Sequence, residues 1–171
     1  MKVVANIDLK DYWNLNRFCL IKIPQLRKKF LKNLGSYPLI IFLTLLMFSA
    51  FSTLKMSLPT ILIITLLSGG LADIILVYRT KSQIAKLASQ TPGIIGEHIY
   101  EINKAGIREI TSLKDSFNTW DSIHSIHQNK QYIFVFLSSS IAHIIPKRSF
   151  DTLEEANTFY TQSMKLWQAS K

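Results

Sequence analysis

The chain has 171 residues, 48% of them hydrophobic, and a formal net charge of +9 at pH 7. Its one cysteine, Cys19, excludes an internal disulfide and a cysteine-based zinc cluster. Residues 94–171 carry eight basic and eight acidic side chains, so the positive excess lies in residues 1–37 and 79–93. A nucleic-acid-binding domain normally carries such an excess itself, and we therefore expect no nucleic-acid partner.

Residues 1–37 predict a strand followed by a basic amphipathic helix. Lys2–Ile7 is rich in Val and Ile, and Asp8 has the position of an N-cap before the helical apolar spacing of Leu9–Lys22. Pro24 breaks or kinks this helix, and a basic amphipathic pattern then continues to Leu34. This basic segment is either an interfacial juxtamembrane anchor or a helix whose apolar face packs on a folded domain.

Two apolar runs follow, Pro38–Leu54 and Leu58–Tyr78, separated by a short turn that contains Lys55. As helices they would reach roughly 26–31 Å, which is close to the thickness of a hydrocarbon core. The first run has no charged residue, and the second has only Asp73. The pattern predicts a membrane hairpin of two transmembrane helices, residues 38–54 and 58–78.

The distribution of basic residues predicts the orientation of this hairpin. Eight Lys or Arg lie in residues 1–37 and three in the connector 79–93, whereas the turn has only Lys55. Positive residues favour the cytoplasmic side, so we expect both termini in the cytoplasm. The lipid bilayer, and in particular its anionic inner leaflet, is then the expected partner of the basic segments.

Residues 94–171 predict a small, strongly bent antiparallel sheet capped by a C-terminal helix, which makes the fold class a membrane α-hairpin plus α+β. Alternating patterns and turn residues separate the expected strands. These are Glu97–Ile102, Ile107–Ser112, Phe117–Trp120, Ile123–His127, Tyr132–Leu137 and Ile141–Ile145, with Tyr132–Leu137 the most apolar and central. Asp151 and Thr152 then cap a helix with one apolar face, formed by Ala156, Phe159, Tyr160, Ser163, Met164 and Trp167.

Two short motifs carry a family resemblance. NTWDSIHSI at Asn118–Ile126 and IIPKRSF at Ile144–Phe150, behind two apolar runs, resemble the YcxB-like family of bacterial membrane proteins. The resemblance implies a multi-pass protein of the bacterial inner membrane with a cytoplasmic PH-like domain over residues 94–171. Within the motifs, Trp120 and Phe150 have the character of core anchors, and Pro146 is expected to end an edge strand.

Lys147 and Arg148 follow Pro146 at an expected strand-to-helix corner. A PH-like fold suggests that they bind a phosphoinositide-like or other anionic headgroup, or a partner. The alternative is an ordinary solvated corner.

No catalytic or metal-binding signature is present, and we expect neither an enzyme nor a cofactor. His124 and His127 would face opposite sides of one strand, and His98 and His143 are expected to be half-exposed strand residues. Ser138–Ser140 lacks the surrounding glycines of a nucleophile elbow.

Two functions remain open. The first is a non-enzymatic integral inner-membrane protein whose PH-like domain binds a partner protein or an anionic lipid surface. The second is a small channel or transporter subunit that forms a homo-oligomer. It would use Asp73, a costly charge within a span, and Gly69 and Gly70, which allow close helix packing.

Overall fold

The computed structural model describes all 171 residues, as four α-helices and seven β-strands. The helices are α1 (Leu9–Lys22), α2 (Pro24–Phe51), α3 (Leu58–Gln90) and α4 (Leu153–Ala169). The strands are β1 (Lys2–Ile7), β2 (Gly96–Ile102), β3 (Gly106–Thr111), β4 (Asp115–Thr119), β5 (Ser125–Gln128), β6 (Tyr132–Phe136) and β7 (Ala142–Pro146). The chain divides into two compact units: residues 1–19 with 84–171, called the sheet unit here, and residues 20–83, called the hairpin unit.

Both helices of the hairpin are longer than the apolar runs within them. α2 has 28 residues and α3 has 33, and each contains a stretch long and apolar enough to cross a membrane by length and composition. The basic segment before Pro38 is continuous with α2, and the connector after Tyr78 continues α3. Pro38 lies inside α2, where it removes one backbone hydrogen bond without ending the helix.

The turn between α2 and α3 satisfies its own polar groups. Lys55 Nζ donates to the carbonyl oxygens of Ser49 and Ala50 at 3.2 and 3.0 Å, and the Met56 amide donates to Ser49 Oγ at 2.9 Å. A cation at the C-terminal end of a helix also favours the negative end of its dipole. The one charge in the turn therefore caps α2.

α2 and α3 approach each other closely at Gly69. A Cβ atom placed on Gly69 would lie 2.9 Å from Pro38 Cγ, whereas one placed on Gly70 would meet nothing within 4 Å. Gly69 is buried and Gly70 is exposed. The contact with Pro38 thus needs a glycine at position 69 alone.

The sheet unit contains two antiparallel sheets, with strand orders β1-β2-β3-β4 and β5-β6-β7. β1 pairs with β2 over its whole length, from Lys2 opposite Glu101 to Ile7 opposite Gly96. Residues 8–95, which include the whole hairpin unit, are therefore an insertion between two neighbouring strands. Gly93 and Gly96, with φ of 81° and 120°, turn the chain from α3 into β2 in a backbone region that favours glycine.

The core of the sheet unit lies under β6, whose five residues are all buried. β6 is the central strand of its sheet, as expected from its composition. The Phe18 ring of α1 lies 4.9 Å from that of Phe134 between centroids. α4 buries Ala156 and Phe159 of its expected apolar face.

Trp120 differs from its expected place in a strand. It begins a single 3₁₀ turn, Trp120–Ser122, and β5 starts only at Ser125. The turn closes because the Ile123 amide donates to the Trp120 carbonyl at 3.2 Å and Ser122 Oγ donates to the Thr119 carbonyl at 2.7 Å. Side-chain bonds of this kind compete with strand pairing.

Gly69→Ala should destabilise the hairpin, since its methyl group would meet the Pro38 ring at less than contact distance. We expect a lower thermal unfolding midpoint for the full chain in detergent micelles. Gly70→Ala is the matched control, and it should leave the midpoint unchanged or raise it slightly because alanine is the better helix former. Equal midpoints for the two variants would contradict the close approach.

Candidate functional site: a basic groove beside the last helix

A groove of about 380 Å³ lies beside the start of α4. Three elements of the sheet unit bring basic side chains to it: α1 contributes Lys10, the β5–β6 turn contributes Lys130, and the corner after β7 contributes Lys147 and Arg148. Sequence analysis identified only the last two as site residues. Lys10 and Lys130 are distant from them in sequence, and only the folded arrangement brings the four together.

Lys147 is held in place by neutral partners. Its Nζ donates to Gln128 Oε1 at 2.8 Å and to Asn157 Oδ1 at 3.4 Å. None of the three lysines of the groove forms an ion pair, whereas Arg148 beside them pairs with Asp11, and Lys2 and Arg108 form ion pairs elsewhere. Asp151 is the one acidic residue among those that line the groove, so the groove keeps a net positive charge.

Arg148 has a different role, because it is bound to a buried carboxylate. Its guanidinium donates two hydrogen bonds of 2.6 Å to the two oxygens of Asp11, which has no solvent exposure. A further bond reaches the Asn6 carbonyl at 3.2 Å. Planar bidentate pairing of this type is strong and geometrically specific. Arg148 thus ties α1 and β1 to the corner after β7.

Asp11 has further hydrogen-bond partners in Asp8 and Tyr132. It accepts from the Tyr132 hydroxyl at 2.9 Å and from the Asp8 amide at 2.9 Å, while its own amide donates to Asp8 Oδ1 at 2.8 Å. Asp8 is therefore the N-cap of α1, as its position predicts. Burial raises the pKa of Asp11, but the bonds from Arg148, Asp8 and Tyr132 outweigh burial and lower this pKa below its ordinary value.

The expected motif residues all lie in or against the core. Trp120 is buried, and its indole Nε1 donates to the Asn103 carbonyl at 2.9 Å. Pro146 is buried at the end of β7, an edge strand of its sheet, where a missing amide costs nothing. The Phe150 ring packs edge-on against that of Phe159, with centroids 5.4 Å apart.

The intramembrane candidates lie in the hairpin unit. Asp73 is half-buried, and its Oδ1 is shielded from solvent without a hydrogen-bond partner. Gly69 packs against Pro38 within the hairpin, whereas Gly70 has no neighbouring atom within 4 Å of where a Cβ would lie.

The histidines differ from the expectation of half-exposed strand residues. His98 and His143 are buried, and the Nδ1 atoms of both lie against Oε1 of Glu109, at 3.0 and 3.2 Å. Sequence analysis did not identify Glu109. The alternation of β3 places Glu109 on the same side as the buried Ile107. A charged residue on the inward side of a strand could have identified Glu109 as a candidate site residue. No group of three or more His, Cys, Asp or Glu has the arrangement of a metal site.

Comparison with known proteins identifies one family. Residues 102–163 match the family model described as YcxB-like protein. Both motifs that carry the resemblance, Asn118–Ile126 and Ile144–Phe150, lie within the matched residues, and the resemblance is confirmed. No curated protein and no solved structure matches the chain.

Asp11→Asn should destabilise the sheet unit by about 1–3 kcal/mol, because it removes the charge that Arg148 binds. The stability supplied by ionised Asp11 is present above the pKa of an unfolded aspartate, about 3.9, and is lost as the pH falls through the lower pKa of the folded protein. Unfolding midpoints measured from pH 7 to pH 3 should therefore converge for the variant and the parent at low pH.

Asp115→Asn is the control for this experiment. Asp115 pairs with Arg108 on the surface, and an exposed pair of this kind contributes little. We expect its midpoint to follow that of the parent at every pH. A loss as large as that of Asp11→Asn would contradict the special role of the buried carboxylate.

Proposed function

We propose that this YcxB-like protein is a non-enzymatic integral protein of the bacterial inner membrane, whose cytoplasmic PH-like domain binds an anionic lipid surface. The observation that carries the proposal is the groove with three lysines that have no acidic partner within the chain. Lysine or arginine near an anionic membrane contributes about 1 kcal/mol each, so three residues of this kind would give useful affinity.

The hairpin supports insertion in a membrane. Large apolar side chains on α2 and α3 are exposed, including Phe51 at 82%, Leu66 at 75% and Leu67 at 72%. Water would not stabilise such surfaces on two neighbouring helices, whereas lipid would. Apart from the helix ends and the carbonyl that Pro38 leaves without an amide partner, the backbone polar groups of a helix are bonded within it, as a hydrocarbon environment requires.

The ends of the hairpin support a single orientation. The first turns of α2 carry Arg27, Lys28, Lys29 and Lys32, and the last part of α3 carries Arg79, Lys81 and Lys86. Because Gly69 lies against Pro38, α2 and α3 run side by side in opposite directions, and these two basic stretches lie at the same end. The positive-inside bias then favours both termini in the cytoplasm.

The architecture of residues 94–171 supports a PH-like domain. Antiparallel strands in two sheets are followed by one amphipathic helix that packs its apolar face on them, and the family match covers β3 to β7 and the first part of α4. β1 extends the first sheet at its edge, so the domain also includes the N-terminal strand.

A lipid surface is favoured over the alternatives by charge. A protein-docking surface normally has an apolar centre with aromatic anchors and few charges. Tyr132, Phe150 and Leu153 also line this groove, but four of its ten lining residues are basic. The channel hypothesis would rest on Asp73 and Gly70, since Gly69 already packs within the hairpin. A small open glycine and one half-buried carboxylate are a weaker basis than the lysine groove.

Labelling of introduced cysteines should reveal the orientation. Cys19 is buried, so the parent chain should react weakly with a membrane-impermeant maleimide in intact cells. We expect Lys55→Cys to react from outside, and Lys171→Cys to react only after the inner membrane is opened. Labelling of position 171 in intact spheroplasts would contradict the orientation.

Replacing the groove lysines should abolish lipid binding. Full-length protein in phosphatidylcholine nanodiscs should co-float with vesicles that contain phosphatidylglycerol and not with neutral vesicles, and salt should weaken this association. The triple variant Lys10→Gln, Lys130→Gln, Lys147→Gln should lose the preference for anionic vesicles.

The matched control carries the same charge change elsewhere on the sheet unit, as Lys104→Gln, Lys165→Gln, Lys171→Gln. Its binding should remain within about twofold of the parent at physiological salt, where distant charges are screened. An equal loss in both triple variants would mean that net charge, and not the groove, determines binding. Absence of any anionic preference in the parent would reject the lipid surface and favour a protein partner.

A further inference from the structure

A second cavity, of about 290 Å³, lies within the sheet unit on the side of the buried histidines. Residues from both sheets and from α1 line it. Its polar wall includes His98, Glu109 and His143, and its apolar walls include Ile7, Leu15 and Ile141. A volume of this size is near the lower end of small-molecule sites and has room for roughly ten non-hydrogen atoms.

The polar wall is built from three strands. Glu109 of β3 accepts at one oxygen from His98 of β2 and His143 of β7, with Nδ1–Oε1 distances of 3.0 and 3.2 Å. His143 Nε2 in turn lies 3.4 Å from the Asn118 amide nitrogen, so a neutral His143 donates to Glu109 and accepts from Asn118. Burial raises the pKa of Glu109, but the two histidines outweigh it and hold this pKa well below its ordinary value. Glu109 therefore remains a carboxylate.

One ring nitrogen of His98 has no hydrogen-bond partner in this arrangement. His98 is 95% buried, and its Nε2 is the nitrogen without a partner. Its Nδ1 lies 3.0 Å from Glu109 Oε1 and 3.4 Å from the Tyr100 hydroxyl oxygen, so both polar partners are on one ring nitrogen. A buried polar atom without a partner is uncommon and calls for a physical explanation.

Fold stability does not explain the cluster. A buried charged group costs desolvation energy, and apolar side chains of similar volume stabilise a core as well or better. The β3 position of Glu109 lies between Ile107 and Thr111 on the inward side, where an aliphatic residue would fit the strand pattern. A shifted carboxyl pKa at the wall of a cavity is instead typical of a binding or functional site.

We propose that this cavity binds a small organic molecule with an apolar body and a cationic nitrogen, such as a primary ammonium group. The carboxylate of Glu109 supplies the negative charge on the cavity wall, and the hydrogen bonds from His98 and His143 hold it in place. The aliphatic side chains opposite receive the apolar body. An anionic molecule of the same size is excluded by repulsion from Glu109. Lys114, an exposed residue, also lines the cavity.

The test uses three probes that share one apolar body and differ in the head group: benzylamine, benzyl alcohol and benzoate. Full-length protein with ¹⁵N-labelled histidine, in detergent micelles at pH 7, is titrated with each probe, and the His98 ring nitrogen signals are followed. We expect benzylamine to bind with a saturable shift at Nδ1 of His98, the nitrogen that lies against Glu109. Benzyl alcohol should bind at least about tenfold more weakly because it lacks the charge-assisted bond. Benzoate should give no saturable shift.

Two variants test the assignment. Glu109→Gln keeps the side-chain volume and should remove the preference for benzylamine over benzyl alcohol. Ile141→Trp, at the exposed rim, leaves the cluster intact and should block all three probes, so the test remains decisive if Glu109→Gln does not fold. Equal affinities for the three probes would overturn the proposal. Unchanged benzylamine binding in Ile141→Trp, or no saturable binding of benzylamine to the parent, would overturn it as well.

Discussion

The antiparallel pairing of β1 with β2 is the contact on which the rest of the structure depends. It places Ile7 opposite Gly96 and so closes the ends of a long insertion, residues 8–95. Closing a chain segment of this length costs about 4 kcal/mol in loop entropy. Burial of Val3, Ala5 and Ile7 offsets this cost, and the N-terminal amine adds a hydrogen bond of 2.9 Å to the Ile102 carbonyl. The strands on both sides of the insertion thus belong to one sheet.

A second contact, the Asp11–Arg148 ion pair, stabilises the sheet unit next to the β1–β2 pairing. The Asp11–Arg148 pair joins the start of α1 to the corner after β7, and the Phe18 ring packs on β6. Lys10 precedes Asp11, so the contact that fixes α1 also brings Lys10 to the groove with Lys130 and Lys147. The neighbouring residues Lys147 and Arg148 consequently have different roles. Lys147 lies at the groove without an acidic partner, whereas Arg148 joins α1 to the corner after β7 through Asp11.

Local patterns predicted most of the elements, because they depend on neighbouring residues. The Val and Ile content of β1, the alternation of β2, the apolar run of β6, the N-cap Asp8 and the cap of α4 were all visible in the sequence. The convergence of Glu109 with His98 and His143 was not visible, since it requires the registers of two sheets and contacts between residues far apart in sequence. The same limit applies to the groove. Strand alternation predicts which side of a strand faces inward, but it does not predict which distant side chain lies opposite.

The central claim is that the N-terminal strand and the C-terminal domain fold as one unit around the insertion. Amide hydrogen exchange of the full chain in nanodiscs tests this most directly. The account predicts that the β1 amides bonded to β2 exchange as slowly as those of β2 itself. It also predicts that Ala5→Asp, at a position with no solvent exposure, speeds exchange in both strands together. Rapid exchange throughout Lys2–Ile7 in the parent, with β2 still protected, would contradict it.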